Sequence, residues 1–211
     1  MKRKIGRMCI ITDTAVQKKY SHIEIALMAI NGGADVIQFR DKSMPTGELI
    51  ETAKKIKKIC SKAGVLFIVN DRVDAALLAD ADGVHLGKED IPLKEARKLL
   101  GKNKIIGRTA HTIKEAREAE ENGADYIGFG HIYLTASKLK LTSPVGTEKL
   151  KYAVKTINIP IFAIGGISLS NIEEIIKTGV HGAAVIGSVV KSSDPAKTVK
   201  ELKRYFHVRK N

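Results

Sequence analysis

The stretch "LFIVNDRVDAALLADADGVHLGKED", Leu66 to Asp90, decides the fold. "LFIV" (66–69) and "GVHL" (83–86) are short, continuous apolar runs, the pattern of strands buried on both faces of a parallel sheet. The segment between them closes on "DADG" (80–83), a joint between a helix and the next strand. Strand, helix and strand in immediate succession make a βαβ unit. The first strand runs without a break into Asn70, Asp71 and Arg72, an amide, an acid and a base. That abrupt end predicts a working surface at the strand's C-terminus.

The same alternation continues in both directions. Further strands are predicted at "MCIIT" (8–12), "DVIQFR" (35–40), "KIIG" (104–107), "YIGFG" (126–130), "IFAIG" (161–165) and "AAVIG" (183–187). Amphipathic segments lie between them, such as 46–64, 112–123 and 170–179. A weak repeat marks the joints: "NGGAD" (31–35), "DADG" (80–83), "ENGAD" (121–125) and "TGVHG" (178–182). Glycine at each joint is expected to take the left-handed conformation that closes a helix. Eight strands alternating with helices predict an α/β fold, a (β/α)₈ TIM barrel. An open doubly wound sheet is the alternative, but it favours a Gly-rich turn after the first strand. "IITDTAVQKKY" (10–20) has none. No linker or low-complexity tract divides the chain, so 1–211 reads as a single TIM-barrel domain.

The chain has 211 residues, 44% of them hydrophobic, without tryptophan, so its core must come from Ile, Val, Leu and Ala. The net charge of +13 raises the question of nucleic acid, a membrane surface or an anionic small molecule. Most lysines alternate with apolar residues at helical spacing, as in "AKKIKKICSK" (53–62), which is the pattern of a solvated helix face. No helix-turn-helix, zinc-finger or RNA-binding signature accompanies them, so no nucleic-acid partner is expected. No segment reaches the length of a membrane span and no signal peptide precedes the first strand. Cys9 and Cys60 lie far apart, outside any ligand pattern, and read as inert thiols of a cytoplasmic protein. The sequence allows a homo-oligomer without specifying one.

In such a barrel the active site lies at the C-terminal ends of the strands. There the sequence collects Gln38, Arg40 and Lys42, then Asn70 and Asp71, then Asp90, then Thr109 and His111, then Thr135, Ser137 and Lys138. Cations beside a carboxylate pair suit a diphosphate bridged by Mg²⁺, which takes hard oxygen ligands and retains water. The last two strands end in "AIGGIS" and "VIGS". Glycine turns leading into helices at this place suit a monophosphate on backbone N–H groups and helix N-termini.

The blocks "QFRDK", "NDRVDAALLADADGVHLGKED", "GRTAHT", "DYIGFGHIYLTASK", "PIFAIGGI" and "AAVIGS" together resemble the thiamine phosphate synthase/TenI family, over nearly the whole chain and in the same order. The resemblance implies Mg²⁺-dependent coupling of hydroxymethylpyrimidine diphosphate to hydroxyethylthiazole phosphate. It implies Asp71 and Asp90 as Mg²⁺ ligands. Arg40, Lys42, Asn70 and Lys138 would hold the diphosphate. Gln38 and Thr109 would lie by the pyrimidine. Thr135, Ser137, Gly166, Ile186 and Gly187 would surround the thiazole phosphate. Arg40, Lys42, Lys138 and His111 are the catalytic candidates. The C–O bond to the diphosphate would break first, leaving a pyrimidine-stabilised carbocation that the thiazole nitrogen attacks.

The family also holds TenI-type thiazole tautomerases, which isomerise a carboxythiazole phosphate by proton transfer with a histidine as general acid–base. "GRTAH" and "FGHI" resemble that branch, and His111 would take that role. Against it stands the complete diphosphate and metal set. A non-catalytic regulator that binds thiamine precursors is a third reading, and the retained metal ligands speak against it. Gly187 replaces a usual serine, and 139–146 departs from the family pattern. His85 reads as a core residue, His22, His181 and His207 as structural or exposed, and Arg72 as an ion-pair partner.

Overall fold

The computed structural model describes residues 4–135 and 143–207. Eight parallel strands close into a barrel in chain order: β1 (Met8–Thr12), β2 (Val36–Phe39), β3 (Leu66–Asn70), β4 (Gly83–Leu86), β5 (Ile105–Ala110), β6 (Tyr126–Gly130), β7 (Ile161–Ile164) and β8 (Gly182–Val185). Between them run α1 (His22–Asn31), α2 (Thr46–Ala63), α3 (Val73–Leu78), α4 (Leu93–Leu100), α5 (Ile113–Glu121), α6 (Gly146–Thr156) and α7 (Ile172–Lys177). After β8 come α8 (Gly187–Val190) and α9 (Pro195–His207). The barrel is the expected (β/α)₈ fold, and the open-sheet alternative is excluded by the β1–β8 pairing.

Local chemistry accounts for the helices. Ser21 caps α1, and Glu24 completes a capping box. Thr112 caps α5 by accepting from the Glu115 N–H. In α2 the buried residues Leu49, Ala53, Ile56 and Cys60 recur at helical spacing, and its lysines lie off this face. The basic run is therefore the solvated side of an amphipathic helix. Glycine closes the joints at Gly33, Gly123 and Gly179, each with positive φ. The "DADG" joint differs: Asp80 takes the left-handed conformation (φ 48°), while Gly83 is the first residue of β4. A side chain at 83 would meet the Ile105 carbonyl oxygen at 2.0 Å, so glycine is needed there for strand packing.

Two apolar layers result. The outer one fills the space between strands and helices and includes Phe39, Phe67, Leu86 and Phe129. Truncating fully buried Phe67 to alanine is expected to cost about 3–5 kcal/mol. The inner layer fills the barrel with Cys9, Ile11, Val36, Leu66, Ile68, Ile105, Tyr126 and Phe162. Burial pushes the thiols of Cys9 and Cys60 up to about 12, as expected of inert cysteines. Gly107 admits the Tyr126 ring, which would lie 2.1 Å from a β-carbon there. Among the described residues no helix is long and apolar enough to cross a membrane.

Candidate active site

The C-terminal mouth of the barrel has two unlike halves. The polar half is built by β2, β3 and β4. Arg40 and Lys42 follow β2 and flank Asp41. The Arg40 guanidinium pairs with Asp13, which follows β1. Asp41 anchors this loop. Its Oδ1 accepts from the Ser43 and Met44 N–H groups, both at 2.8 Å, and its Oδ2 from His22 Nε2 at 2.9 Å. Burial alone would raise the Asp41 carboxyl. These donors outweigh it and hold the group at about 2. His22 Nδ1 in turn bonds Thr12 Oγ1 at 2.9 Å.

Asn70 is the last residue of β3, and Asp71 follows in the left-handed conformation (φ 63°), which short polar side chains tolerate. Its N–H donates to the His85 carbonyl at 2.8 Å, tying the end of β3 to β4. Lys42 Nζ approaches Asp71 Oδ2 at 3.3 Å. Asp90 accepts from the Gly87 N–H at 2.6 Å. Asp71 and Asp90 are in side-chain contact, and the Asp71 carboxyl is raised, first by burial and then by Asp90, with Lys42 opposing. Two carboxylates in contact repel unless a proton or a cation lies between them. Mg²⁺ requires only one or two protein carboxylates and completes its shell with water and phosphate oxygens. The donor set therefore fits a small divalent ion. Among the described residues no group of three or more metal-binding side chains accompanies it. Arg72 turns away to pair with Asp74 at 2.5 Å, as an ion-pair partner should.

The other half, formed by β5 to β8, encloses a cavity of about 410 Å³. Thr109, His111, Thr135, Gly166, Ile186 and Gly187 all line it, and so do His131, Ser168, Ser188 and Lys191. His111 Nδ1 donates to the Gly130 carbonyl, so Nδ1 carries the proton and Nε2 of the neutral ring keeps a lone pair. Thr109 Oγ1 bonds His85 Nε2 at 2.9 Å, and His85 Nδ1 bonds the Tyr126 hydroxyl at 2.9 Å. His85 is thus a satisfied core residue that also orients Thr109. Gly165 and Gly166 both have positive φ, and Asn171 donates to the Gly166 carbonyl at 2.9 Å. After β7 the chain makes a turn, and α7 starts only at Ile172, so Gly166 does not lead directly into a helix. After β8 the helix follows at once, from Gly187.

Gln38 belongs to neither half. It is 3% exposed and lies inside the barrel, beneath the mouth, near Cys9 and His85. Ser137 and Lys138 lie outside the described residues, as do 139–142. Asp13 and His22 join the site without having been expected there, and Asp41, one of the polar residues at the end of the second strand, takes an anchoring role that sequence did not assign it. Asp13 sits directly after β1, where its position was the available signal. His22 is buried and structural, and its bond to Asp41 connects residues far apart in the chain.

A closed (β/α)₈ barrel with cations and paired carboxylates beside a ligand-sized cavity defines a class: TIM-barrel enzymes that work on small anionic molecules at the strand ends. The particular family follows from comparison with known proteins. The thiamine monophosphate synthase family model matches residues 8–189, and the chain belongs to that family. It is 47% identical over 188 residues to the thiamine-phosphate synthase of Chlorobium phaeobacteroides, covering 89% of this chain and 90% of that one. It is 44% identical over 194 residues to that of Methanocella arvoryzae, covering 92% of each. The solved thiamine phosphate pyrophosphorylase of Pyrococcus furiosus superposes with a TM-score of 0.89 at 38% identity, covering 97% of both chains.

Proposed function

We propose that the chain is a Mg²⁺-dependent thiamine-phosphate synthase. It would couple hydroxymethylpyrimidine diphosphate to hydroxyethylthiazole phosphate, giving thiamine phosphate and diphosphate. The observation that carries this reading is the contact of Asp71 with Asp90, with Lys42 beside it, next to a cavity of about 410 Å³. A tautomerase or a passive binder has no use for two neighbouring carboxylates, Asp71 raised by burial and by Asp90, at that place.

Asp71 and Asp90 would hold the ion, which when bound neutralises charge on the diphosphate oxygens. Arg40, Lys42, Asn70 and Lys138 would hold the diphosphate. The Asp13 and His22–Asp41 contacts fix the loop that carries Arg40 and Lys42, so these cations meet developing leaving-group charge without reorganising. The C–O bond breaks toward the cationic half. Thr135, Ser137, Gly166, Ile186 and Gly187 would hold the thiazole phosphate so that its ring nitrogen faces the resulting carbocation. Gln38 and Thr109 would line the pyrimidine, with Thr109 set by His85. The reading places a single barrel domain, 1–211, in the cytoplasm, acting on small molecules and not on nucleic acid or membranes.

One observation favours the tautomerase as a second reading. The His111 tautomer leaves Nε2 as a base in the cavity. The test is to supply both substrates with and without Mg²⁺ and to measure thiamine phosphate. Mg²⁺-dependent product is expected. No coupling, together with isomerisation of a carboxythiazole phosphate, would overturn the synthase.

A further inference from the structure

His131 lines the cavity, is 8% exposed, and its Nε2 is buried without a hydrogen-bond partner among the described residues. The synthase mechanism above does not use it. Leaving such a nitrogen buried and unpaired is unfavourable, and a ligand atom that meets it removes the penalty. We propose that His131 Nε2–H donates a hydrogen bond to a phosphate oxygen of the thiazole phosphate, and so makes the cavity selective for the phosphorylated over the free thiazole.

The choice of partner atom follows from chemistry and position. This inference rests on the thiazole phosphate being the occupant of the cavity. A thiazole phosphate dianion carries acceptors and no N–H or O–H donor, so the imidazole must donate. The ring nitrogen must keep its lone pair for attack, so it is unavailable as that acceptor. The phosphate oxygens remain. His131 is packed against the β7 turn: a β-carbon at Gly165 would lie 2.3 Å from the His131 Cβ. Gly165 and Gly166, with Ser168, line the same wall of the cavity. The side chain is therefore beside the turn already assigned to the phosphate. At Gly187, where the residue has no hydroxyl to offer, only backbone contact is available. The histidine donor just after β6 supplies a side-chain contact in its place.

The test is equilibrium binding of hydroxyethylthiazole phosphate and of the unphosphorylated thiazole alcohol to the wild type, His131→Phe and His131→Gln. His131→Phe should lose about ten-fold or more in affinity for the phosphate ester, the worth of a hydrogen bond to a charged group. Its affinity for the alcohol should not change. Glutamine retains an N–H donor and should recover part of the loss, which separates a lost donor from a disturbed cavity. Equal weakening of both ligands, or no weakening of either, overturns the proposal. So does a wild type that binds the alcohol as tightly as the ester. Coupling activity is measured on the same wild-type preparation. Selective binding without coupling would leave the His131 contact standing and refute the synthase reading, whereas coupling with an unaltered His131→Phe affinity would do the reverse.

Discussion

The two halves of the barrel mouth solve different problems. The β2–β4 half is polar and held under electrostatic tension: Asp90 helps to raise the Asp71 carboxyl, and among the described residues Lys42 opposes it. The β5–β8 half is a preformed cavity, shaped by glycine backbone and lined by apolar side chains such as Leu134 and Ile164. Charge is concentrated where a leaving group would develop it. Shape is concentrated where a neutral ring would have to be held in line. The contrast teaches that leaving-group chemistry and nucleophile positioning are divided between neighbouring strands of one barrel, so each half should fail separately.

The largest effect is expected from the polar half. In an Asp71→Asn, Asp90→Asn double variant the coupling rate should fall by on the order of 10²–10³-fold, the scale of losing preorganised electrostatic stabilisation. Thiazole phosphate affinity should stay within about two-fold, given the separation of the halves. A large loss of that affinity, read by calorimetry, would erase the division. The converse change is Gly166→Ala. Its φ of 69° disfavours a side chain, and the new β-carbon would lie 2.6 Å from the Leu134 carbonyl oxygen. Thiazole phosphate KM should rise about ten-fold, matching the ~1–2 kcal/mol of forcing an L-residue into this region, with pyrimidine diphosphate KM unchanged.

A smaller effect should come from His22→Phe, which removes a donor from Asp41. Turnover should fall several-fold and stability by about 1–3 kcal/mol, as a buried acceptor loses its partner. His22→Gln should restore much of both. The smallest effect is a gain. Because the Asp71 carboxyl is raised in the folded state, the folded protein binds that proton more tightly than the unfolded chain. The associated stability is present at low pH and lost as pH rises through the raised value. Asp90→Asn should therefore raise the metal-free thermal midpoint near neutral pH by about 1–3 °C, and it should abolish the further rise on adding Mg²⁺. Asp41 has the opposite sign: its lowered carboxyl stabilises the fold above the ordinary Asp range, and that stability is lost as pH falls toward about 2.

The barrel was legible because parallel strands covered on both faces read as continuous apolar runs, "LFIV" and "YIGFG" among them. Strand ends then located Asn70, Asp71, Asp90, Thr109 and His111 at one mouth. What sequence could not reveal is pairing at a distance. Nothing local to His22 indicates that it reaches Asp41, and "RDK" does not say that its middle residue is the anchor of the two cations. The helix expected at 170–179 is α7, Ile172–Lys177, but sequence did not show that a turn separates it from Gly166, because a glycine turn and a helix N-terminus share the same composition. Ser137 and Lys138 remain expectations from sequence.

The most direct measurement is thiamine phosphate formed from both substrates with Mg²⁺ by two matched variants, Asp71→Ala and His111→Ala. The division of the mouth predicts that Asp71→Ala makes essentially no product while His111→Ala remains active. Loss of product in His111→Ala with turnover retained in Asp71→Ala would contradict it.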